Sequence, residues 1–180
     1  MARRVLERQQ SLAQSLILYL PEVFDPAEFI HPEFKVWQGP PGGDGLHGEE
    51  AVYEPAGLSA IDVQSIRFEN FLDDDESLGK KISGQAKVHR ARESGHTLLG
   101  GRTALALWRN YQASPRKSIL EWLRKKERIT WMELLGVVLR YPGSDGYRCT
   151  PYFHFDRGIW GRYCGCLDYA RGAEHLAAVI

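Results

Sequence analysis

The sequence predicts an α+β fold: an antiparallel sheet of about four or five strands with three main helices packed on it. Three observations predict it. Apolar residues recur at helical spacing in three stretches. Two segments near the C-terminus alternate at period two and are separated by a tight turn. Finally, 43% of the 180 residues are hydrophobic, enough over this length for one self-sufficient core. The chain is read as a single domain over residues 1–180, with a Pro/Gly-rich loop at about 39–48.

The first helix is expected over residues 3–20. Leu6, Ala13, Ile17 and Leu20 recur at its spacing, as do Val5, Leu12 and Leu16, and Pro21 stops it. Residues 21–58 hold six of the nine prolines, and the run from Gly39 to Gly45 excludes a regular element. Ile61 to Phe68 alternates as a strand, Asp73 to Glu76 reads as a solvated acidic turn, and Lys81 to Arg90 reads as a second strand.

Helical spacing returns in Ala104, Leu105, Leu107, Trp108 and Tyr111, which places the second helix near 102–112. Gly100-Gly101 at its start would let an anion approach free backbone N–H groups, helped by Arg102. Ser114-Pro115 supplies an N-cap and a first-turn proline for the third helix, 115–127, which buries Ile119, Leu120, Trp122 and Leu123. Lys117, Arg124, Lys125 and Arg128 fall on its other side, with Glu121 among them. Two helices joined by a short turn, the second cationic, have the outline of a helix-turn-helix. The same cations also suit a helix C-terminus through its dipole.

Thr130 to Tyr141 is divided between a capping box at Thr130 and Glu133 and the strand-forming Trp131, Val137, Val138 and Tyr141; the strand is favoured. Tyr147 to Phe155 and Ile159 to Cys166 are strands joined by Asp156-Arg157-Gly158. Read as a three-residue loop with glycine last, this turn pairs Phe155 with Ile159. In that register Phe153, Phe155, Ile159 and Tyr163 share a core face, and Tyr152, His154, Trp160 and Arg162 share the other. Ala173 to Ile180 reads as a short helix or a frayed tail.

No motif of a known catalytic type is present, so an enzyme is the less favoured class. His154 and Asp156 lie two apart, as a base and its orienting acid would, but no nucleophile accompanies them. The three cysteines, Cys149, Cys164 and Cys166, are an odd number and argue against a disulfide framework. Cys164-Gly-Cys166 is too tight for the usual zinc knuckle; Cys149 and His154 would be needed to complete four ligands. No metal and no cofactor are expected. Nor is there an apolar run approaching the roughly 18 residues of a membrane span, and polar residues interrupt any signal-peptide core, so a cytoplasmic protein without a membrane partner is expected.

The neutral total conceals a segregation of charge. Residues 20–79 carry two cations against fourteen carboxylates, whereas residues 80–128 carry thirteen cations against three carboxylates. A basic surface of this density attracts polyanions through phosphate contacts and counterion release. The expected function is therefore non-enzymatic binding of nucleic acid through 80–128, with Arg102, Arg109, Arg116, Lys117, Arg124, Lys125, Lys126 and Arg128 supplying phosphate contacts. Tyr152, His154, Trp160 and Arg162 form a possible aromatic binding face, able to stack unpaired bases. The alternative is a protein–protein adaptor or inhibitor using the acidic 20–79 segment. A weaker alternative is a metal-dependent hydrolase built on His154, Asp156 and the acids at 73–76.

Overall fold

The computed structural model describes residues 16–37, 52–73, 81–141, 143 and 147–180. The Pro/Gly-rich loop at 39–48 and the acids Asp74, Asp75 and Glu76 lie outside them. The fold is α+β. Strands in chain order are β1 (Ile17–Tyr19), β2 (Lys35–Val36), β3 (Ala60–Asp62), β4 (Arg67–Glu69), β5 (Ile82–Ser83), β6 (Trp131–Glu133), β7 (Leu139–Arg140), β8 (Arg148–Asp156), β9 (Ile159–Cys166), β10 (Ala170–Arg171) and β11 (Ala177–Val179). The α-helices are α1 (Pro26–Phe29), α2 (Gly84–Glu93), α3 (Gly101–Ala113) and α4 (Ile119–Glu127). Among the described residues no helix is long and apolar enough to cross a membrane.

The main sheet has seven strands, in the order β2-β7-β8-β6-β11-β4, with β9 on the other edge of β8. It is larger than the expected four or five strands, and it is not wholly antiparallel, because β11 runs parallel to β6. The C-terminal segment expected to be a helix or tail is instead this inner strand. Ala177 and Val179 pack with Val88, Ala91 and Leu135, while Ala178 packs with Leu105, Met132 and Phe153. Small side chains on both faces suit a strand covered on two sides.

Two further corrections have local causes. Residues 1–15 lie outside the described residues, but Ile17–Tyr19 is a strand, not the end of a helix; it pairs with β3, Leu18 opposite Ile61. Leu18 is 3% exposed and Tyr19 76%, the period-two signature that a short apolar run hides. The expected strand Lys81 to Arg90 is a helix after Ser83. The Ser83 hydroxyl accepts from the Ala86 N–H at 3.1 Å, an N-cap, and Gly84, Lys87, Val88 and Ala91 are buried at helical spacing. Ile61 to Phe68 is broken into β3 and β4 by a 3₁₀ turn, where the Asp62 carboxylate accepts from the Gln64 N–H and the Ser65 hydroxyl donates to the Asp62 carbonyl. The helix expected at 115 opens with a 3₁₀ turn, Pro115–Lys117, and its true N-cap is Ser118, whose hydroxyl accepts from the Glu121 N–H at 3.2 Å.

Thr130 to Tyr141 is strand at both ends. Between β6 and β7 the chain leaves the ladder, and Gly136 becomes a crossing point. Its N–H donates to the Leu99 carbonyl, and its own carbonyl accepts from the Tyr53 and Glu54 N–H groups. A Cβ on Gly136 would lie 2.7 Å from the Leu98 carbonyl oxygen and 2.8 Å from the Leu99 carbonyl carbon. Gly136→Ala is therefore expected to cost about 1–3 kcal/mol through forced backbone separation. Gly57→Ala, with nothing within 4 Å of the added methyl, is expected to stay within about 0.5 kcal/mol of wild type. Urea unfolding midpoints of the two variants check this pair.

Candidate nucleic-acid interface

The β8–β9 hairpin organises the candidate residues. Its register pairs Asp156 with Ile159, Phe155 with Trp160 and Phe153 with Arg162. The connecting turn is thus the two residues Arg157 and Gly158, at φ 47° and 89°. Positive φ at both is what a type I′ turn requires, and its twist matches that of the strands. The three-residue loop expected from the sequence is shifted by one position, and the shift moves one strand's side chains to the opposite face.

In the actual register Tyr152 and His154 stay together, but Trp160 and Arg162 join Phe153 and Phe155 on the face that meets the helices. Trp160 is buried, and its backbone N–H donates to the Tyr111 hydroxyl at 3.2 Å. Arg162 lies 4.6 Å over the Trp108 ring and donates to the Glu28 carbonyl at 2.7 Å. Opposite, Tyr163, Tyr152 and Trp131 form a ladder of stacked rings spaced 5.3 and 4.2 Å apart, with His175 edge-on to Trp131 and His154 beside it. Burial holds the Tyr152 phenol above its usual pKa and the His175 imidazole below its own. His154 and Asp156 also share this face, whereas Cys149 is on the other, so Cys149 and His154 cannot meet at one ion. Among the described residues no group of three or more His, Cys, Asp or Glu side chains could hold a metal.

The eight cations fall into two sets. Arg102, Arg109 and Arg124 are each gripped by a carboxylate of the chain through a guanidinium contact, Arg109 at the surface with half of its side chain exposed. Glu54, almost fully buried, accepts from the Gly100 and Thr103 N–H groups through Oε1 and from the Arg102 N–H through Oε2, at 2.9–3.1 Å. The anion that the Gly-Gly start of α3 admits, where the sequence favours a plain loop, is thus the chain's own carboxylate. The Arg102 guanidinium completes the arrangement at 3.4 Å from Glu54 and donates to the Pro55 and Ala56 carbonyls. Arg109 grips Glu28 through two hydrogen bonds, and Arg124 grips Glu121 likewise while its guanidinium covers the Phe155 ring at 4.4 Å. Those bonds hold the Glu28 and Glu121 carboxyls below their usual pKa.

The second set faces solvent. Lys125 is 64% exposed and meets Glu121 at 3.4 Å, and Lys126 meets Glu127 at 3.3 Å. Arg116, Lys117 and Arg128 are exposed and make no ion pair among the described residues. Arg128 terminates α4 in the left-handed conformation, at φ 57°.

Between the hairpin tip and the start of α4 lies a cleft of about 200 Å³, lined by Arg116, Lys125, Glu121, Tyr111, Phe155 and Trp160. Cationic and aromatic side chains that the sequence places in different segments meet here. Tyr111 and Phe155 belong to this site yet carry no motif; only the hairpin register, with Phe155 next to the pair that closes the turn, reveals them. No family model, no curated protein and no solved structure matches this chain.

A buried charge cluster also escaped the sequence reading. Glu133 accepts from Lys87 Nζ at 2.7 Å and from Arg171 Nε at 2.6 Å, and Lys87 also donates to the His175 carbonyl. All three side chains are buried, and burial pulls the Lys87 pKa down against the attraction of Glu133. Glu133→Gln would leave two cations facing each other without a counter-charge, and should cost about 3–5 kcal/mol. Lys87→Met leaves the Glu133–Arg171 pair intact and relieves a desolvated ammonium, so its loss should be clearly smaller. Thermal melts of the two variants test this order.

Proposed function

We propose that this chain is a non-enzymatic, cytoplasmic binding protein that holds a nucleic-acid strand along the exposed cations of α4 and the cleft between α4 and the β8–β9 hairpin. The observation that carries the reading is the convergence of Arg116 and Lys125 with Tyr111, Phe155 and Trp160 in that cleft. Between residues 115 and 128 six cations stand against two carboxylates, and the carboxylates already serve Arg124, Lys125 and Lys126. Arg116, Lys117, Lys125 and Arg128 would neutralise phosphates, which fixes position without specifying sequence. The odd cysteine count accords with a cytoplasmic setting.

The adaptor reading has less support, because Glu28 and Glu54 of the acidic segment are engaged by Arg109 and Arg102. In the hydrolase reading, His154 and Asp156 share a sheet face, and most of the 73–76 acids lie outside the described residues.

Titration with single- and double-stranded DNA and RNA at two salt concentrations tests the proposal. If about four phosphates are neutralised, log affinity falls with log salt at a slope of about −3 to −4, a loss of roughly 60- to 250-fold between about 50 and 200 mM. Arg116→Gln with Lys125→Gln should flatten that slope by about 1.5. Absence of binding to every strand, or affinity insensitive to salt and to this double variant, would overturn it.

A further inference from the structure

The open end of the same hairpin carries all three cysteines on one face. Register places Cys149 opposite Cys166 and Pro151 opposite Cys164. The neighbouring pair, Arg148 and Leu167, carries a ladder hydrogen bond from the Leu167 N–H to the Arg148 carbonyl at 2.8 Å. Cys149 and Cys166 are therefore a non-hydrogen-bonded antiparallel pair, in which Cα atoms stand about 4.5 Å apart and side chains are closest. A disulfide spans Cα separations of roughly 4.4–6.8 Å, so the backbone of this pair has the spacing that a bridge requires with no change of register. The thiols of the diagonal pair, Cys149 and Cys164, do touch through a hydrogen bond, but diagonal Cα atoms stand about 7–8 Å apart, beyond the roughly 4.4–6.8 Å that a disulfide spans.

All three thiols are free. Cys149 is buried and its thiol points to the Leu139 carbonyl at 3.6 Å. Cys166 is half-exposed. With Cys164 it lines a depression of about 390 Å³ walled by Tyr141, Tyr147 and Tyr169, within the size range of small-molecule sites. The three tyrosines are substantially exposed, so the depression opens to solvent beside the Cys166 thiol, which meets the Asp168 carboxylate at 3.8 Å and has Cys149 opposite it in the ladder. Nothing in the proposed cleft at the other end of the hairpin uses these groups.

From this geometry we infer that Cys166 and Cys149 form a reversible dithiol–disulfide site, oxidised by a low-molecular-weight disulfide of the glutathione type that occupies the tyrosine-walled depression. Cys166 loses its proton to water, and its thiolate attacks one sulfur of the small disulfide. That S–S bond breaks, and one small thiolate leaves. Cys149 then loses its proton and attacks Cys166 Sγ, expelling the second small thiolate. Two protein thiols are oxidised to one disulfide, one small disulfide is reduced to two thiols, and the two protons end on the departing sulfurs. Cys164 is a bystander: its hydrogen bond with Cys149, and burial, push its thiol pKa up and keep it protonated.

The test treats the folded full chain with glutathione disulfide, quenches with acid, alkylates the remaining thiols and maps the peptides by mass. Loss of two of the three thiols with a Cys149–Cys166 crosslink is the expected result, reversed by reduced glutathione. Cys164→Ser should leave the crosslink intact, and Cys149→Ser should stop at a glutathione adduct on Cys166. Three thiols still titratable in the wild-type chain, a crosslink through Cys164, or an adduct that accumulates on wild type without closing would each overturn the inference. The wild-type result needs no variant to fold.

Discussion

The hydrogen-bond register between β8 and β9 is the constraint on which the rest depends. Side chains on a strand alternate with period two, so one residue of slip exchanges the two faces of β9 relative to β8. With Asp156 opposite Ile159, Trp160 turns inward beside Phe153 and Phe155, Arg162 covers Trp108, and Tyr111 anchors the hairpin tip to α3. The same register leaves Tyr163 beside Tyr152 on the opposite face and sets Cys166 opposite Cys149. Cleft, ring ladder and thiol pair are three consequences of one turn.

Charge in this protein is handled by position. The acidic and basic segments do meet, but at a few well-made contacts: Glu54 closes the N-terminus of α3, and Glu28 pins Arg109. Such contacts engage cations early in the basic segment and leave those of the 3₁₀ turn and, apart from Arg124, of α4 facing solvent. On the far face of the sheet, Glu133 holds Lys87 and Arg171 with a surplus of one positive charge, and ties α2 and β10 to β6. That surplus is buried, so it serves packing between elements and presents nothing to a partner in solution.

How much of this was legible in the sequence follows from which signals are local. The helix Gly101–Ala113 was readable because its apolar spacing is long and uninterrupted, and β8 and β9 because a turn separates two alternating runs. The register was not. Tyr152, Phe153, His154 and Phe155 are ring-bearing on both faces, so hydrophobic pattern does not choose between them. Asp156-Arg157-Gly158, with glycine last, equally suits a three-residue type I turn plus bulge, so the turn residues do not choose the register either. β1 and β11 are three residues each and owe their form to partners far along the chain. The N-cap of α2 was hidden because Ile82, Gly84, Ala86 and Val88 alternate by accident. In the candidate site the cations were visible as composition, but their sorting into two sets depends on Glu28, Glu54 and Glu121, whose roles appear only in three dimensions.

The arrangement of the hairpin can be read directly from cross-strand contacts between Hα protons in solution NMR, which are strong at non-hydrogen-bonded antiparallel pairs. The account predicts such contacts between Phe155 and Trp160, Phe153 and Arg162, and Cys149 and Cys166. Contacts displaced by one residue, joining Phe155 to Ile159 and Phe153 to Gly161, would return Trp160 and Arg162 to the opposite face and dismantle both the cleft and the thiol pair.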